Sequence, residues 1–512
     1  MSRTSHPTSA AWEYHNATKH SFWSVRREAE PLDWANCPLP FKIYRGLEPL
    51  PLPRDLPVSG FPCLQALASP SYPTRREAPD LATLASLLYY SAGITKRLRY
   101  PGGEVYFRAA ACTGALYHID LYLVCGDLPD LPAGVYHFGP HDFALRCLRR
   151  GDYRPVLVEA SGGEGALAGA PLAIVFASTF WRNAWKYRAR TYRHAFWDSG
   201  TILANLLAMA AAHGLPARVV LGFADAPVNH LLGLDGGHEA SLLLVALGCG
   251  ATPPPPPPPI PPLRLETASL SARPREYPAI AAMHRASSLT SGEEASAWRG
   301  EPPSWPLPPP SGPLFPLAPL DPAPSDGIEA VVMRRGSARR FDREARIPYG
   351  VLSTIVHCAT RGIPADFLPP TGLGLNRLFL IVNAVEGLPS GAYLYRPREE
   401  ALELLRGGDF RSLAGYLALE QALGADACAD LYMLAPLGAV LERFGNRGYR
   451  AAQLEAGTVG GKIYLAAYAL GQGATGLTFY DDDVVSFFAP AASHHAVMFL
   501  TAVGVPRRRP QP

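Results

Sequence analysis

Two kinds of hydrophobic pattern alternate along the chain. Short apolar runs rich in β-branched and aromatic residues, such as IDLYLV (119–124), GVYHF (134–138) and PLAIVFAS (171–178), are typical of buried strands. In contrast, SGTILANLLAMAAAHG (199–214) has apolar residues at 202, 203, 206, 207 and 209 and ends at Gly214, which is typical of an amphipathic helix. Because strands and helices interleave, the sequence predicts an α+β fold with a central antiparallel or mixed sheet flanked by helices.

The same pattern occurs twice. The stretch that begins at Tyr192, YRHAFWDSGTILANLLAMAAAHGLPA, matches YRAAQLEAGTVGGKIYLAAYALGQGA from Tyr449, 257 positions later, with the Tyr-Arg and Gly-Thr pairs in register. TGALYHIDLYLV (113–124) matches TGLGLNRLFLIV (371–382), and HEASLLLVALG (238–248) matches HHAVMFLTAVG (494–504), at nearly the same offset. Chance similarity would not keep one offset over such a length, so the sequence predicts two tandem domains that arose by duplication. The Gly-Thr pairs, Gly200-Thr201 and Gly457-Thr458, are expected to let core helices pack closely.

Proline marks the boundary between the copies. Between 251 and 326 the chain reads ATPPPPPPPIPP and later EPPSWPLPPPSGPLFPLAPLDPAP, a density that prevents helical hydrogen bonding and favours extended backbone. We therefore predict a first domain over 12–250, a proline-rich linker over 251–326 and a second domain over 327–512. A single chain with both copies can form its own pseudo-dimer.

Composition excludes several classes of protein. The formal charge is +3 with both signs evenly mixed, which disfavours a nucleic-acid partner. No signal peptide and no long uninterrupted apolar run is evident, so the sequence predicts a soluble, cytoplasmic protein without a membrane span. The eight cysteines lie far apart without a C-x-x-C pair, so neither a zinc site nor a disulfide framework is expected, and no metal site is predicted.

The second copy opens with VVMRRGSARRFD (331–342), where four arginines surround a serine. Guanidinium groups bind phosphate bidentately and a hydroxyl adds a donor, so Arg334, Arg335, Ser337 and Arg339 form a candidate phosphate anchor. This R-R-x-S-x-R-x-F opening, the later G-T-x-x-x-x-x-x-L-A-A helix and the following FYDDD (479–483) resemble the flavin-dependent nitroreductases over nearly the whole second copy. The resemblance implies that two copies of the fold pair, and that flavin mononucleotide (FMN) lies at their interface.

The first copy resembles one branch of that superfamily, the SagB-type dehydrogenases that oxidise azoline rings in modified peptides. The resemblance is carried by YHNATKHS (14–21), LASLLYYSAGIT (84–95), CTGALYHIDLYLV (112–124) and WKYRARTYR (185–193). It implies that Lys186 and Tyr187 are catalytic. Dehydrogenation requires a base for one proton while the flavin takes hydride, and a desolvated lysine or a tyrosinate beside a cation can serve. The branch usually has P-S-A-G where this chain has Ala111-Cys112-Thr113-Gly114, which weakens any inference about its usual substrate.

The resemblance predicts two unequal cofactor sites. The more complete one would join Arg335, Ser337 and Arg339 of the second copy to Thr113, Gly114, Lys186 and Tyr187 of the first. The opposite site would join Lys19, His20 and Ser21 to Pro370, Thr371, Gly372, Arg443 and Phe444, and so lacks the Lys-Tyr pair. Thr475 and Gly476, and a late basic residue, Arg507 or Arg508, are further candidate cofactor contacts.

Three functions remain open from the sequence. The chain is expected to be an FMN-dependent dehydrogenase acting on a small molecule or a peptide, with oxygen as one possible electron acceptor. An NAD(P)H-dependent nitroreductase or flavin reductase is the second reading, and it would leave Lys186 and Tyr187 without a catalytic task. The third is a binding protein that keeps the fold without catalysis, which a colourless preparation would indicate.

Overall fold

The structure is a computed structural model that describes residues 8–27, 31–69, 78–100, 103–252, 254 and 256–507. The helices are α1 Ser9–Ala17, α2 Phe22–Arg27, α3 Cys63–Ala68, α4 Leu81–Ala92, α5 Arg154–Ala160, α6 Gly165–Gly169, α7 Phe180–Tyr187, α8 Thr191–Ala212, α9 Asp225–Leu232, α10 Pro278–Ala286, α11 Gly292–Trp298, α12 Ile328–Arg334, α13 Tyr349–Ala359, α14 Arg411–Leu417, α15 Ala422–Asp426, α16 Leu437–Phe444, α17 Arg447–Ala469 and α18 Asp481–Phe487. The strands are β1 Pro49–Pro51, β2 Ile94–Tyr100, β3 Gly103–Arg108, β4 Ile119–Cys125, β5 Gly134–Gly139, β6 Ala144–Arg150, β7 Leu172–Thr179, β8 Ala217–Val220, β9 Glu239–Leu247, β10 Leu314–Pro316, β11 Ile347–Pro348, β12 Arg377–Val382, β13 Val385–Glu386, β14 Gly391–Arg396, β15 Ala401–Gly407, β16 Ala429–Ala435, β17 Gly473–Leu477 and β18 Ala496–Gly504.

Two large sheets repeat one topology. The first has the strand order β1-β6-β5-β4-β7-β9-β8 and the second has β10-β15-β14-β12-β16-β18-β17. At one edge of each sheet, β1 pairs antiparallel with β6 and β10 pairs antiparallel with β15. The inner strands β4, β7, β12 and β16 are almost wholly buried. The predicted α+β fold with two tandem nitroreductase-like units is confirmed. We call the chain up to the end of β9 the first half and the chain from α12 onward the second half.

The two halves meet along their longest helices, α8 and α17, at the glycines of the repeat. A Cβ at Gly457 would lie 2.7 Å from both Cα and the carbonyl oxygen of Trp197, and a Cβ at Gly200 would collide with the backbone nitrogen of Thr458. Only glycine lets two helix backbones approach this closely. The predicted packing role of the Gly-Thr pairs is confirmed.

A single methyl group at this crossing is expected to be costly. Gly200→Ala should lower the free energy of unfolding by about 1–3 kcal/mol, because the obstructing atoms belong to the partner helix backbone and cannot rotate away. Gly165→Ala is the matched control, since a Cβ there has no atom within 4 Å. Urea denaturation of both variants is the measurement, and equal stability would show that the helices separate without cost.

Two equivalent ion clusters lock the halves together. Arg190 and Arg193, at the start of α8, bind Asp481 of the second half at 3.1 and 2.7 Å. In the same way, Arg447 and Arg450, at the start of α17 in the second half, both bind Asp225 of the first half at 2.6 Å. All six side chains are almost fully buried. We call these the arginine–aspartate clusters.

The N-terminal segment packs on the second half. In α1, the Ala11 amide donates to the Asn446 side chain at 3.0 Å, and His15 Nδ1 lies 3.3 Å from Tyr449 Oη. Further along, the His20 amide donates to Asp481 Oδ2 at 2.8 Å. The segment 11–20 is therefore anchored by residues more than four hundred positions away.

Part of the proline-rich segment is folded in the same way against the first half. The Leu289 amide, just after α10, donates to Asp225 Oδ2 at 3.0 Å, as His20 does to Asp481. AMHRASSLT (282–290) also matches EYHNATKHS (13–21) in sequence, with His284 at the place of His15. The segment 251–326 thus includes a counterpart of the N-terminal segment, displaced by 269 residues rather than 257, in addition to the edge strand β10.

One stretch, Phe180–Ala212, is apolar and long enough to cross a membrane by length and composition alone. Of its apolar window, 89% is buried inside the fold. Its hydrophobicity is explained by contact with the sheet and with α17 inside the fold.

Candidate active site

A strained loop lies between β3 and β4 at the interface of the halves. Within Cys112–Tyr117, both Ala115 (φ 55°) and Tyr117 (φ 46°) have left-handed backbone, which costs about 1–3 kcal/mol per residue unless the surroundings enforce it. Asp198 of α8 enforces it, because its Oδ1 accepts hydrogen bonds from the Thr113 amide at 2.9 Å and from the Thr113 hydroxyl at 2.8 Å. The loop is therefore held in one conformation by a buried carboxylate.

Gly114 lies at the tip of this loop, against the phenol of Tyr187. Its φ is +63°, and a Cβ there would lie 2.6 Å from Tyr187 Oη. Tyr187 is the last residue of α7, and its ring packs edge-on against His194 at 4.7 Å between centroids. Only glycine permits both this backbone and this close approach.

The surroundings of Tyr187 keep its phenol protonated. Burial raises its pKa above the usual value, and the neighbouring Asp198 and Cys112 raise it further. Lys186 is exposed, with its Nζ 5.2 Å from the centre of the Tyr187 ring. The two forms expected of a base, a desolvated lysine and a tyrosinate, are therefore both disfavoured in this structure, because the lysine is solvated and the phenol lies beside negative charge.

The second half contributes Arg335 to the same interface. Its Nε donates to the Ala109 carbonyl at 2.9 Å and its Nη2 to the Arg108 carbonyl at 3.1 Å, both at the end of β3 just before the strained loop. Its guanidinium also lies over the ring of Tyr464, 5.8 Å from the centre. The structure thus brings the predicted anchor of the second half to the predicted loop of the first.

Tyr464 also gathers two other predicted residues. Its hydroxyl lies 3.2 Å from Ser337 Oγ and accepts a hydrogen bond from the Gly476 amide. Thr475 is buried within β17, whereas Gly476 is exposed in a strand whose other residues are buried. Ser337 and the bare backbone of Gly476 therefore lie on one surface.

Positive charge accumulates on this surface. The bridge between Phe341 and Pro506 and the hydrogen bond from the Arg507 amide to the Arg340 carbonyl, 3.1 Å, bring the C-terminal arginine to the anchor segment. Within the described residues, no carboxylate forms an ion pair with four arginines: Arg335, Arg339, Arg340 and Arg507. Arg334 differs, because it pairs with Asp326 and donates to the Tyr468 carbonyl. Arg508 lies outside the described residues.

A row of aromatic rings extends from Gly114 of the strained loop to Gly476 of β17. From Tyr187 the contacts run to His194 (4.7 Å), Trp197 (4.9 Å) and Phe499 (5.4 Å) between ring centres. Phe499 in turn lies against Gly476. These contacts connect the loop of the first half to β17 of the second half through packed aromatic rings.

Lys19, His20 and Ser21 do not lie where the predicted pairing puts them. Lys19 pairs with Asp482 at 2.8 Å and His20 binds Asp481. Asp481 also binds Arg190 and Arg193, which closely follow Tyr187 along the chain. Lys19 and His20 therefore lie on the Tyr187 side. The pairing with Arg443 is wrong, because their second-half counterparts are residues 288–290 and not the Arg335 segment.

The opposite interface is filled by the protein itself. Phe444, the counterpart of Tyr187, packs on Trp298 of α11 at 5.2 Å, and its carbonyl accepts a hydrogen bond from Trp298 Nε1 at 2.8 Å. Arg443 donates to the Arg299 carbonyl at 3.0 Å. Thr371 and Gly372 lie on the loop after α13, where Glu455 binds the Gly374 and Leu375 amides as Asp198 binds Thr113. The predicted loop is thus present, but Trp298 covers the position that corresponds to the Tyr187 phenol.

Sequence reasoning missed the residues that hold the site together. Asp198 supports the loop, and His118 Nε2 lies 3.1 Å from its second carboxylate oxygen and 2.9 Å, through Nδ1, from Ser178. A signal for Asp198 was present, since an acidic residue precedes the Gly-Thr pair by two positions in both copies, as Asp198 and Glu455. His118 had no such signal, because its counterpart is Asn376.

Comparisons with known proteins agree with this architecture. A structure of a protein from Anabaena variabilis assigned as a nitroreductase superposes with a TM-score of 0.79 at 26% identity, covering 97% of this chain and 99% of that one. The microcin B17-processing protein McbC of Escherichia coli is 31% identical over 140 residues, 26% of this chain. The match spans about half of McbC, 52% of its length. A Methanocaldococcus jannaschii protein, also assigned as a nitroreductase, is 24% identical over 168 residues, 33% of this chain and 80% of that protein.

The nitroreductase family matches the chain in two segments, 140–249 and 332–505, one in each half. The two segments include strands β6 to β9 and β11 to β18, the long helices α8 and α17, and the site residues Tyr187 and Arg335. With more than half of its length matched, the chain belongs to the nitroreductase family.

Proposed function

We propose that the chain is an FMN-dependent dehydrogenase whose productive site is built from both halves. The observation that carries the proposal is the docking of Arg335 on the carbonyls that precede the strained loop of the first half. One interface therefore combines arginines without a carboxylate partner among the described residues, a rigid loop and a buried phenol, whereas on the other Trp298 packs on Phe444, the counterpart of Tyr187.

The residues present fit FMN. Arg335, Arg339 and Arg507 have no carboxylate partner among the described residues, and such a cluster matches the charge of a phosphate monoester. The exposed backbones of Gly114 and Gly476, with the rings between them, suit a planar group that must approach closely. FMN, when bound, supplies hydride acceptance at its N5 atom.

The chain's own residues would handle the proton. Tyr187 keeps its phenol protonated beside Gly114, so it can donate a hydrogen bond to a substrate atom and orient it. Lys186 lies on the solvent side of the same ring and can exchange a proton with water. The proton that the substrate loses would pass to the phenol oxygen as the phenol's own proton leaves for water beside Lys186, so the phenol is neutral before and after the step.

A peptide is the proposed substrate class. McbC, which resembles part of this chain, is a microcin-processing protein. Next to the site, Trp34 is 71% exposed and packs on Trp185, the neighbour of Lys186, and Trp23 is 77% exposed. Exposed aromatic side chains of this kind favour peptide contact. We place the reaction in the cytoplasm.

Removing the phenol or the amine tests the proton path. Tyr187→Phe and Lys186→Met should each lower turnover by roughly 10²-fold, while the flavin content stays unchanged because neither change touches the arginines. Single-turnover reduction by substrate and flavin absorbance per chain are the measurements. His141→Asn, a change at a partly exposed histidine outside the site, serves as the control. Unaltered turnover in both variants would assign the pair a structural role.

The alternative function, an NAD(P)H-dependent nitroreductase or flavin reductase, has a separate test. If the chain takes electrons from NADH or NADPH, the purified holoprotein should bleach its flavin with a pyridine nucleotide and without any other donor. We expect slow or absent bleaching, since in the proposed reaction the flavin receives its electrons from the substrate. Rapid bleaching, undiminished in Tyr187→Phe, would favour the reductase.

A further inference from the structure

A cavity lies on the opposite interface, between α8, α17 and the turn after α13. Its volume is about 100 Å³, space for several water molecules or a short hydrocarbon chain. The walls are apolar and are formed by Leu67, Leu207, Ala208, Leu215, Ile363 and Pro364. Among the described residues that line it, the single charged group is Lys462.

The cavity occupies the position that corresponds to the anchor of the proposed FMN site. Leu207 and Ala211 line it at the repeat positions of Tyr464 and Tyr468, 257 residues earlier. Two hydrogen bonds join the start of α3 to the start of α12 in a symmetric way. One is donated by the Cys63 amide to the Asp326 carbonyl, and the other by the Ile328 amide to the Phe61 carbonyl. The helix that ends beside the cavity is therefore α3, the counterpart of α12.

The sequence after α3 differs from the anchor sequence after α12. α12 ends at Arg334 and is followed by Arg335-Gly336-Ser337, whereas α3 ends at Ala68 and is followed by Ser69-Pro70-Ser71-Tyr72. Among the described residues that line the cavity there is no guanidinium group, so a phosphate monoester would meet one cation there, Lys462. This described lining suits one negative charge better than two.

Lys462 supplies a different chemistry. It replaces Asn205 of the first half, is only 5% exposed, and its Nζ donates a hydrogen bond to the Gly362 carbonyl at 3.1 Å. Within the described residues no carboxylate forms an ion pair with it. Burial lowers its pKa to about 8, and the pKa of the adjacent Cys358 thiol is raised by its own burial, so that thiol is neutral. At neutral pH a buried ammonium thus borders an apolar cavity with no counter-anion among the described residues, an arrangement that is costly unless an anion joins it.

We propose that this cavity is a binding site for a small apolar monocarboxylate. The carboxylate would pair with Lys462, and the hydrocarbon part would lie against Leu207, Leu215 and Ile363. One cation and apolar walls match one negative charge on an apolar body better than they match a phosphate or a polar nucleotide. The site is independent of the proposed dehydrogenase activity, since it shares no residue with the Arg335 side.

Hexanoate is a suitable probe, measured by isothermal titration on the full-length holoprotein. We expect binding to the native chain, binding at least tenfold weaker to Lys462→Met, and unchanged binding to Lys96→Met, a control on an exposed lysine of β2. Hexanamide, which has the same length without the charge, should bind the native chain at least tenfold more weakly than hexanoate.

Lys462→Met should fold, because it removes a buried charge and keeps the length of the side chain. Ala208→Leu gives a second test, since it fills the cavity without touching the ammonium and should also weaken hexanoate binding. Absence of hexanoate binding at 10 mM, or equal binding by the native chain and Lys462→Met, would overturn the proposal. So would a second equivalent of FMN that Lys462→Met removes. Flavin content and turnover are scored separately, so failure of this site and failure of the proposed function are distinguishable.

Discussion

Arg335→Gln is expected to weaken FMN binding by roughly 10²-fold, equivalent to about 2.7 kcal/mol. The guanidinium is fixed by the Ala109 and Arg108 carbonyls and has no carboxylate partner among the described residues, so its charge is available to a phosphate and is positioned before binding. Loss of one positioned, partly buried cation from an anion site commonly costs 2–5 kcal/mol. Fluorescence titration of the flavin-free protein with FMN gives the affinity, and flavin absorbance after denaturation gives the occupancy.

Arg334→Gln is the matched control, one residue earlier. Its guanidinium is engaged by Asp326 and by the Tyr468 carbonyl on a different side of the helix end, so FMN affinity should change less than threefold. Both variants carry the same change of charge, which separates position from net electrostatics. Equal losses in the two variants would mean that the arginines act only as a diffuse positive patch, and a larger loss for Arg334 would reverse the assignment.

Asp481→Asn and Asp225→Asn are each expected to lower the free energy of unfolding by about 3–5 kcal/mol. Each change leaves two buried arginines facing a neutral amide, and the cost of an uncompensated buried cation exceeds that of a lost surface pair. Asp482→Asn is the control, because its ion pair with Lys19 has a carboxylate that is 73% exposed, and its loss should change stability by less than about 1 kcal/mol. Similar denaturation midpoints for Asp481→Asn and Asp482→Asn would contradict the prediction.

The clusters also predict how stability depends on acid. Although burial opposes it, the two arginines beside Asp225 hold the pKa of that carboxyl at about 2, below the value of about 3.9 in an unfolded chain. A carboxylate whose folded pKa is depressed contributes stability that is complete above its unfolded pKa and is lost as the pH falls through the folded one. Stability should therefore decline between about pH 4 and pH 2, and the decline should be shallower in Asp225→Asn, as measured by urea midpoints across that range.

The regular part of the fold was predictable because it repeats at a constant spacing. The two sheets, the paired helices and the glycine crossing at Gly200 and Gly457 all follow from the offset near 257. The counterpart of the N-terminal segment was not predictable in the same way, because β2, β3 and the proline-rich insertions change the offset to 269 and place it within 278–290. For that reason Lys19–Ser21 were assigned to the wrong interface.

The residues that carry the chemistry of the candidate site were predictable, whereas the residues that position them were not. Composition and motif indicate Arg335, Ser337, Gly114 and Tyr187, since each carries a recognisable chemistry. The protonation of Tyr187 depends on Asp198, which is eleven residues away along the chain and meets the loop only after folding. The filling of the opposite interface depends on Trp298, which lies in a segment whose composition suggests only extended chain.

The contacts of α1 have a consequence for synthesis of the chain. Helix α1 meets Asn446 and Tyr449 only after more than four hundred further residues have been translated. Until then its buried face is covered only in part, because Tyr14 packs on Tyr192 of the first half as well as on Tyr449 of the second. Completion of the first half must therefore wait for synthesis of the second, which makes a late step of folding a long-range docking of α1.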